Sequence, residues 1–170
     1  MKIIGKYSYE AEIIKVKYPE GGNLIIGKFC SIGSNVTVYL GGEHHIEWLS
    51  TYPFGHINCD IFNKKNGEHH PASKGNVIIE NDVWIGDNVT IMSGSHICSG
   101  SVIAANSHVS GLVKPYSVVG GNPMIFYYFR FSEEVISKLL SLQWWNWPEE
   151  EINKLSPILN SEDYSKIMEL

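Results

Sequence analysis

The sequence lacks the cysteine patterns that mark disulfide-rich or zinc-binding proteins. It contains three cysteines, Cys30, Cys59 and Cys98, and no two of them form a Cys-x-x-Cys pair. Three widely spaced cysteines do not make a disulfide framework or a zinc motif, so we expect reduced packing residues and no bound metal.

The 170-residue chain has a net charge of −5 without long runs of one sign. This excludes the basic surface of a nucleic-acid-binding protein.

The chain also lacks a long apolar segment. Residues 1–22 contain no continuous apolar stretch of signal-peptide length, and no segment approaches the length of a membrane span. We therefore expect a cytoplasmic protein without membrane partners. The length suffices for one domain with a substantial core.

What the sequence does contain is an aliphatic residue at every sixth position of one long stretch. The series is Ile79, Ile85, Ile91, Ile97, Ile103 and Val109, and it recurs earlier at Ile26, Ile32 and Val38. A helix repeats every 3.6 residues and a half-buried strand every two, so neither alone explains a period of six. A β-sandwich with strands in phase fits less well than a parallel β-helix. In a parallel β-helix, very short strands alternate with corners and each coil buries its apolar side on the next.

The period of six is interrupted for about forty residues between Val38 and Ile79, far longer than a usual connection. Long loops on a regular scaffold often carry function. Four of the seven histidines form two adjacent pairs in this loop, at positions 44–45 and 69–70. Because neighbouring residues on an extended backbone point in opposite directions, we expect each pair to offer one ring to a shared site.

After the repeats, the pattern becomes helical. Ser132, followed by two glutamates and the apolar residues Val135 and Leu139, predicts the start of an amphipathic helix, and Pro148 predicts the first position of another. We divide the chain into a β-helix domain over residues 1–130, which includes the loop 41–76, and a helical extension over residues 131–170 packed on it.

Seven short motifs follow one another along the chain. They are Ile26-Gly-Lys-Phe-Cys-Ser-Ile-Gly33, Gly41-Gly-x-His44, Ser50-Thr-Tyr-Pro-Phe54, His70-Pro-x-x-Lys-Gly75, Asn81-Asp-Val-Trp-Ile-Gly86, Gly120-Gly-Asn-Pro123 and Trp144-Trp-x-Trp-Pro148. Together they resemble the xenobiotic acetyltransferase branch of the hexapeptide-repeat acyltransferases, which includes virginiamycin and type B chloramphenicol acetyltransferases. The resemblance covers nearly the whole chain. It implies an all-β core folded as a left-handed parallel β-helix, and a homotrimer that binds acetyl-CoA between its subunits.

The resemblance further implies that a loop histidine is the catalytic base. The His-Pro-x-x-Lys-Gly motif assigns this role to His70, with His69 one position away as the alternative. An imidazole with a pKa near 6.5 suits the removal of a proton at neutral pH. No pattern places a nucleophile beside a base, so we expect the hydroxyl or amine of a small acceptor to attack acetyl-CoA directly.

Other residues are predicted to bind the two substrates. The donor set comprises residues expected to bind acetyl-CoA. Four small residues, Ser93, Gly94, Ala104 and Ala105, let the pantetheine arm approach the coil wall. Trp84 is an aromatic residue for the cleft, and Lys114 and Arg130 are cations for the CoA phosphates. The acceptor set consists of three residues that wall a pocket and one polar contact: Tyr52, Pro53, Phe54 and His44.

The acceptor itself stays open between an antibiotic and a sugar. Glu43, Asn76 and Glu80 stand where members of the resembled family commonly have Asn, Asp and Gly, and the first two border the predicted acceptor region. Two other functions compete with acetyl transfer. A γ-class carbonic anhydrase needs three suitably placed histidines, which His96 and His108, twelve positions apart, do not supply. A non-catalytic scaffold leaves the loop motifs unexplained.

Overall fold

The computed structural model describes residues 1–170 and contains fourteen β-strands, most of them two or three residues long. In chain order they are β1 (Lys2–Ile4), β2 (Lys15–Lys17), β3 (Leu24–Ile26), β4 (Ser31–Ile32), β5 (Thr37–Tyr39), β6 (Val77–Ile79), β7 (Trp84–Ile85), β8 (Thr90–Ile91), β9 (His96–Ile97), β10 (Val102–Ile103), β11 (His108–Val109), β12 (Leu112–Val113), β13 (Ser117–Gly120) and β14 (Ile125–Phe129). Short 3-10 turns cover Ala11–Ile13, Pro19–Gly21, Lys64–Gly67 and Trp144–Asn146.

The strands form three sheets around a common core. Sheet 1 has the order β1-β3-β6-β9-β12, sheet 2 the order β4-β7-β10-β13-β14, and sheet 3 the order β2-β5-β8-β11. Every pairing is parallel except that of β13 with β14. The chain visits sheets 1, 2 and 3 in turn and then returns to sheet 1. This order of sheets makes the chain a parallel β-helix, in agreement with the predicted fold class.

The period of six in the sequence is the repeat of this coil. Ile79 on β6 lies opposite Ile97 on β9, 18 positions further along, so three hexads make one full turn. The aliphatic residues of the repeat stack in three columns, one behind each sheet, and each of them is at most 3% exposed. The columns are Ile26-Ile79-Ile97, Ile32-Ile85-Ile103 and Val38-Ile91-Val109.

The long loop leaves the coil at the corner between sheet 3 and sheet 1. Ile26 pairs with Ile79, 53 positions away, instead of the regular 18, so the loop adds 35 residues to one turn. An antiparallel bridge between Glu43 and Ala72 closes its base. The Ser73 Oγ lies 2.6 Å from the carbonyl oxygen of Leu40 and anchors the loop to the wall.

The two ends of the chain pack on the same scaffold. β1 and β2 pair with β3 and β5 and form a first, shorter coil. The helices are α1 (Glu133–Leu142), α2 (Glu149–Leu159) and α3 (Ser165–Met168). Ser132 caps α1, and a second apolar cluster joins the helices to Tyr116 of the coil, with Trp144 and Trp145 buried in it. No helix has the length and apolar character needed to cross a membrane.

Candidate active site

His70 is the enclosed member of its histidine pair. It follows the 3-10 turn Lys64–Gly67, and its backbone N–H donates to the carbonyl oxygen of Gly67 at 3.1 Å. His70 is only 8% exposed, whereas the neighbouring His69 lies on the surface. The His70 Nε2 is buried and makes no hydrogen bond. A buried nitrogen without a hydrogen-bond partner lowers the free energy of unfolding, and such groups often serve a function.

Three aromatic rings surround His70. The centroids of His44, His45 and Trp48 lie 5.2, 5.1 and 5.2 Å from the His70 ring. Our expectation that the first histidine pair offers only one ring was therefore wrong. The backbone is not extended there, because Gly42 has φ +85° and the Trp48 N–H turns back to the carbonyl oxygen of His45. A curled segment can direct adjacent side chains to one point.

The surroundings of the two central imidazoles favour opposite charge states. The His45 Nε2 faces the carbonyl oxygen of His69 at 2.9 Å, and its Nδ1 faces the Glu47 carboxylate at 2.8 Å. Both neighbours are acceptors, so they raise the pKa of His45. Burial lowers the pKa of His70, and the nearby charge of His45 lowers it further. His70 is thus kept as a neutral imidazole, the form that can accept a proton.

A cavity of about 480 Å³ opens beside His70. The structure brings three of the four predicted acceptor residues to its wall, namely His44, Tyr52 and Pro53. Phe54 does not line the cavity; its ring packs on that of Tyr52, with the two ring centroids 4.7 Å apart. The His44 Nδ1 is 2.6 Å from the carbonyl oxygen of Thr51, which fixes that ring against the loop.

Several residues of this site were not foreseen from the sequence. The cavity is completed by Tyr18, Glu20 and His56, and the ring cluster by His45 and Trp48. Tyr18 and Glu20 belong to the first coil, between β2 and β3. No local motif places these two residues beside a loop that begins about twenty residues later. The parallel stacking of the coils brings them there.

A second and larger concavity, of about 840 Å³, lies along sheet 2 and its corner with sheet 3. It gathers four of the predicted donor residues, Trp84, Ala104, Ala105 and Arg130. The Trp84 ring is 58% exposed there. The Arg130 guanidinium donates to the carbonyl oxygen of Gly100 at 2.6 Å. This cleft combines an aromatic surface, small side chains and a cation, which suits the pantetheine arm and phosphates of coenzyme A.

The remaining predicted donor residues lie elsewhere. Ser93 and Gly94 sit at the sheet 3 to sheet 1 corner under the loop, where the Ser93 hydroxyl donates to the Glu43 carboxylate at 2.9 Å. Lys114 is exposed and lines a separate shallow cavity beside Phe129. One chain therefore does not bring all the predicted donor residues together.

The repeat positions do not form the site of a γ-class carbonic anhydrase. His96 lies on sheet 1 and His108 on sheet 3, so the two rings are on different faces. Glu80, His96 and Cys98 do have ligand atoms within 4.8 Å of one another. However, the Glu80 carboxylate already accepts hydrogen bonds from Ser99 at 2.8 and 2.9 Å and contacts the His96 Nε2 at 2.7 Å. These bonds join two coils of the wall.

Comparison with known proteins places this architecture in a family. Residues 76–111 match the family described as bacterial transferase hexapeptide (six repeats). A probable macrolide acetyltransferase of Lysinibacillus sphaericus is 47% identical over 84% of this chain and 79% of its own length. The virginiamycin A acetyltransferase of Staphylococcus aureus is 40% identical over 95% and 78%, and a chloramphenicol acetyltransferase of Agrobacterium fabrum is 37% identical over 94% and 82%.

A solved structure supports the fold. An N-acyltransferase of Bacillus cereus, in complex with a dTDP-linked amino sugar and coenzyme A, has a TM-score of 0.53 and 20% sequence identity. It matches 84% of this chain and 68% of its own.

The chain belongs to the hexapeptide-repeat acetyltransferases, within their xenobiotic acetyltransferase branch. It is a CoA-dependent acetyltransferase with acetyl-CoA as its co-substrate, as the motifs predicted. The carbonic anhydrase and scaffold alternatives are set aside, because the relatives that span most of this chain are acetyltransferases.

Proposed function

We propose that this enzyme acetylates a hydroxyl group of an antibiotic, with His70 as the general base. The observation that carries the proposal is the enclosed His70 imidazole, whose Nε2 has no partner within the protein and whose ring lines the acceptor cavity. In the proposed complex, the acceptor hydroxyl binds in this cavity and donates to the His70 Nε2, the nitrogen that no protein group contacts. A positioned base of this kind accelerates a reaction by about 10²–10⁴-fold.

The proposed reaction needs no covalent enzyme intermediate. As His70 removes the proton of the acceptor hydroxyl, the oxygen attacks the thioester carbonyl of acetyl-CoA. The new C–O bond forms and the C–S bond breaks. The CoA thiolate leaves and takes up the proton that His70 received, which returns His70 to its neutral form. The lowered pKa of His70 keeps the imidazole in its neutral, proton-accepting form near neutral pH, and it makes the protonated ring a better proton donor to the leaving thiolate.

The composition of the cavity favours a drug over a nucleotide-linked sugar. No lysine or arginine lines it, so nothing there pairs with a diphosphate. The loop around it exposes apolar side chains suited to a drug-sized acceptor, including Ile46, Leu49 and Ile57. The relatives named for macrolides, virginiamycin A and chloramphenicol agree with this assignment.

Turnover on a panel of acceptors tests this assignment. We expect CoA thiol release from acetyl-CoA with at least one macrolide, streptogramin or chloramphenicol and none above background with nucleotide sugars. Each acceptor is also run without enzyme to correct for spontaneous hydrolysis. Release with nucleotide sugars alone overturns the choice of acceptor. No release with any compound, together with no rise in Tm at saturating CoA, contradicts the proposed function itself.

We further propose a homotrimer with active sites between its subunits. The acceptor cavity of His70 and the donor cleft of Trp84 share no lining residue and lie at different corners of the coil. Outer faces of sheets 1 and 2 expose apolar residues such as Leu112 and Tyr128, which are 62% and 59% exposed. Two apolar faces on each subunit suit a closed ring of three copies.

A cytoplasmic location agrees with the three free cysteines.

Mixed assemblies test whether a site is shared. His70→Ala removes the base, and Ala105→Trp fills the donor cleft, so each variant alone is expected to be inactive. Denaturing an equal mixture and refolding it should restore activity to about a quarter of the wild-type sites, because a random trimer pairs one intact half from each variant at that frequency. Wild-type protein taken through the same procedure is the control. A mixture no more active than its components shows that each chain contains a complete site.

A further inference from the structure

The acceptor cavity contains a single carboxylate, and this group has no ionic partner. Glu20 lies in the 3-10 turn Pro19–Gly21, on the surface, and lines the cavity. The ion pairs of the chain involve other residues. No lysine or arginine lines the cavity to pair with Glu20.

Two tyrosine rings stand at the same cavity. Tyr52 comes from the loop and Tyr18 from the residue just before the turn that carries Glu20. The fold places Tyr18 at some conformational cost. Its φ is +53°, and its ring lies so close to Gly42 that a Cβ there would be 2.2 Å from a ring carbon. Only glycine at position 42, itself at φ +85°, allows this ring to stand at the cavity wall.

The turn that bears Glu20 is also tied to the loop that bears His70. The Ser73 hydroxyl lies 2.8 Å from the carbonyl oxygen of Gly21 and 2.6 Å from that of Leu40. The backbone N–H of Gly75 donates to the same hydroxyl oxygen at 2.9 Å. The backbone turn that carries Tyr18 and Glu20 is therefore joined to the loop that carries His70.

We infer that the acceptor carries a protonated amine in addition to the hydroxyl that is acetylated, and that Glu20 with the Tyr18 and Tyr52 rings binds this ammonium group. A carboxylate beside aromatic faces is the arrangement that recognises alkylammonium ions, through charge pairing and attraction to the ring quadrupole. This inference rests on the proposed function, since it identifies the chemical class of acceptor that the same site prefers.

The test compares two acceptors that differ in net charge at a single nitrogen. The probes are a macrolide that carries a dimethylamino sugar and its N-oxide, which is uncharged at neutral pH. We expect Glu20→Gln to raise the KM for the amine about fivefold to tenfold, with kcat nearly unchanged, and to leave the KM for the N-oxide unaltered. Glu10→Gln, which removes the same charge from an exposed position outside the cavity, should change neither KM. Equal effects of Glu20→Gln on both probes, or no effect, overturn the inference.

A binding measurement separates failure of this inference from failure of the proposed function. Calorimetry with tetramethylammonium chloride, and with tert-butanol as the neutral isostere, needs no turnover. Binding of the cation alone, weakened at least fivefold in Glu20→Gln, supports the ammonium site even if neither macrolide is acetylated. Acetylation of hydroxylated drugs without any dependence on Glu20, and no preference for the cation, leaves the acetyltransferase assignment intact and rejects the ammonium site.

Discussion

Replacing His70 with alanine is expected to lower kcat for acetyl transfer by about 10²–10⁴-fold, the range for loss of a positioned general base. His69→Ala should retain activity within about twofold, because the His69 side chain is on the surface and only its carbonyl oxygen enters the site, towards His45. Initial rates of CoA release at saturating acetyl-CoA and acceptor measure the effect. Far-ultraviolet circular dichroism and Tm confirm that both variants are folded.

The pH profile distinguishes a base from a merely structural histidine. The pKa of His70 is lowered, chiefly by burial and then by the charge of His45, so the neutral base persists below the ordinary histidine value of about 6.5. We expect kcat/KM to stay constant from pH 8 down to this value and to fall only as the pH drops through the lowered pKa. His45→Gln removes the neighbouring charge and should move that fall to higher pH. Wild-type rates in His70→Ala would contradict the assignment of His70 as the base. A pH profile that does not shift in His45→Gln would contradict it as well.

The second large effect contrasts two adjacent residues on β7 that face opposite sides of the wall. Ile85 is fully buried in the middle of a column, between Ile32 and Ile103. Ile85→Ala should lower the free energy of unfolding by about 2–5 kcal/mol, because it removes buried methyl groups and leaves a cavity in a close-packed stack. Reversible denaturation in urea measures this loss, which is a large part of the stability of an ordinary domain.

Trp84→Ala is the matched control on the same strand. Its ring is mostly exposed on the outer face, so stability should change by less than about 1 kcal/mol. The KM for acetyl-CoA should instead rise about tenfold, through loss of the aromatic surface of the donor cleft. The prediction is contradicted if Trp84→Ala destabilises the monomer fold as much as Ile85→Ala does, or if the KM for acetyl-CoA is unchanged.

The two residues show why the coil could be predicted from local sequence. A period of six places each aliphatic residue at the same point of a short strand, and only a triangular coil buries all of them together. The signal is redundant, because Ile79, Ile97 and the other aliphatic residues of the repeat each indicate the same coil. The interruption by the loop was equally visible. His70 was chosen as the candidate base from a motif that resembles a known family, because the period of six carries no information about a loop.

The sequence by itself therefore determined the coil, its interruption and the class of chemistry, since each depends on a repeated local pattern or a contiguous motif. Only the tertiary structure decided which imidazole is enclosed, that both His44 and His45 face it, and that Tyr18 and Glu20 complete its cavity. Those contacts join segments far apart in the chain. They depend on how one coil stacks on another and on a loop backbone turned by Gly42, neither of which has a repeating signal in the sequence.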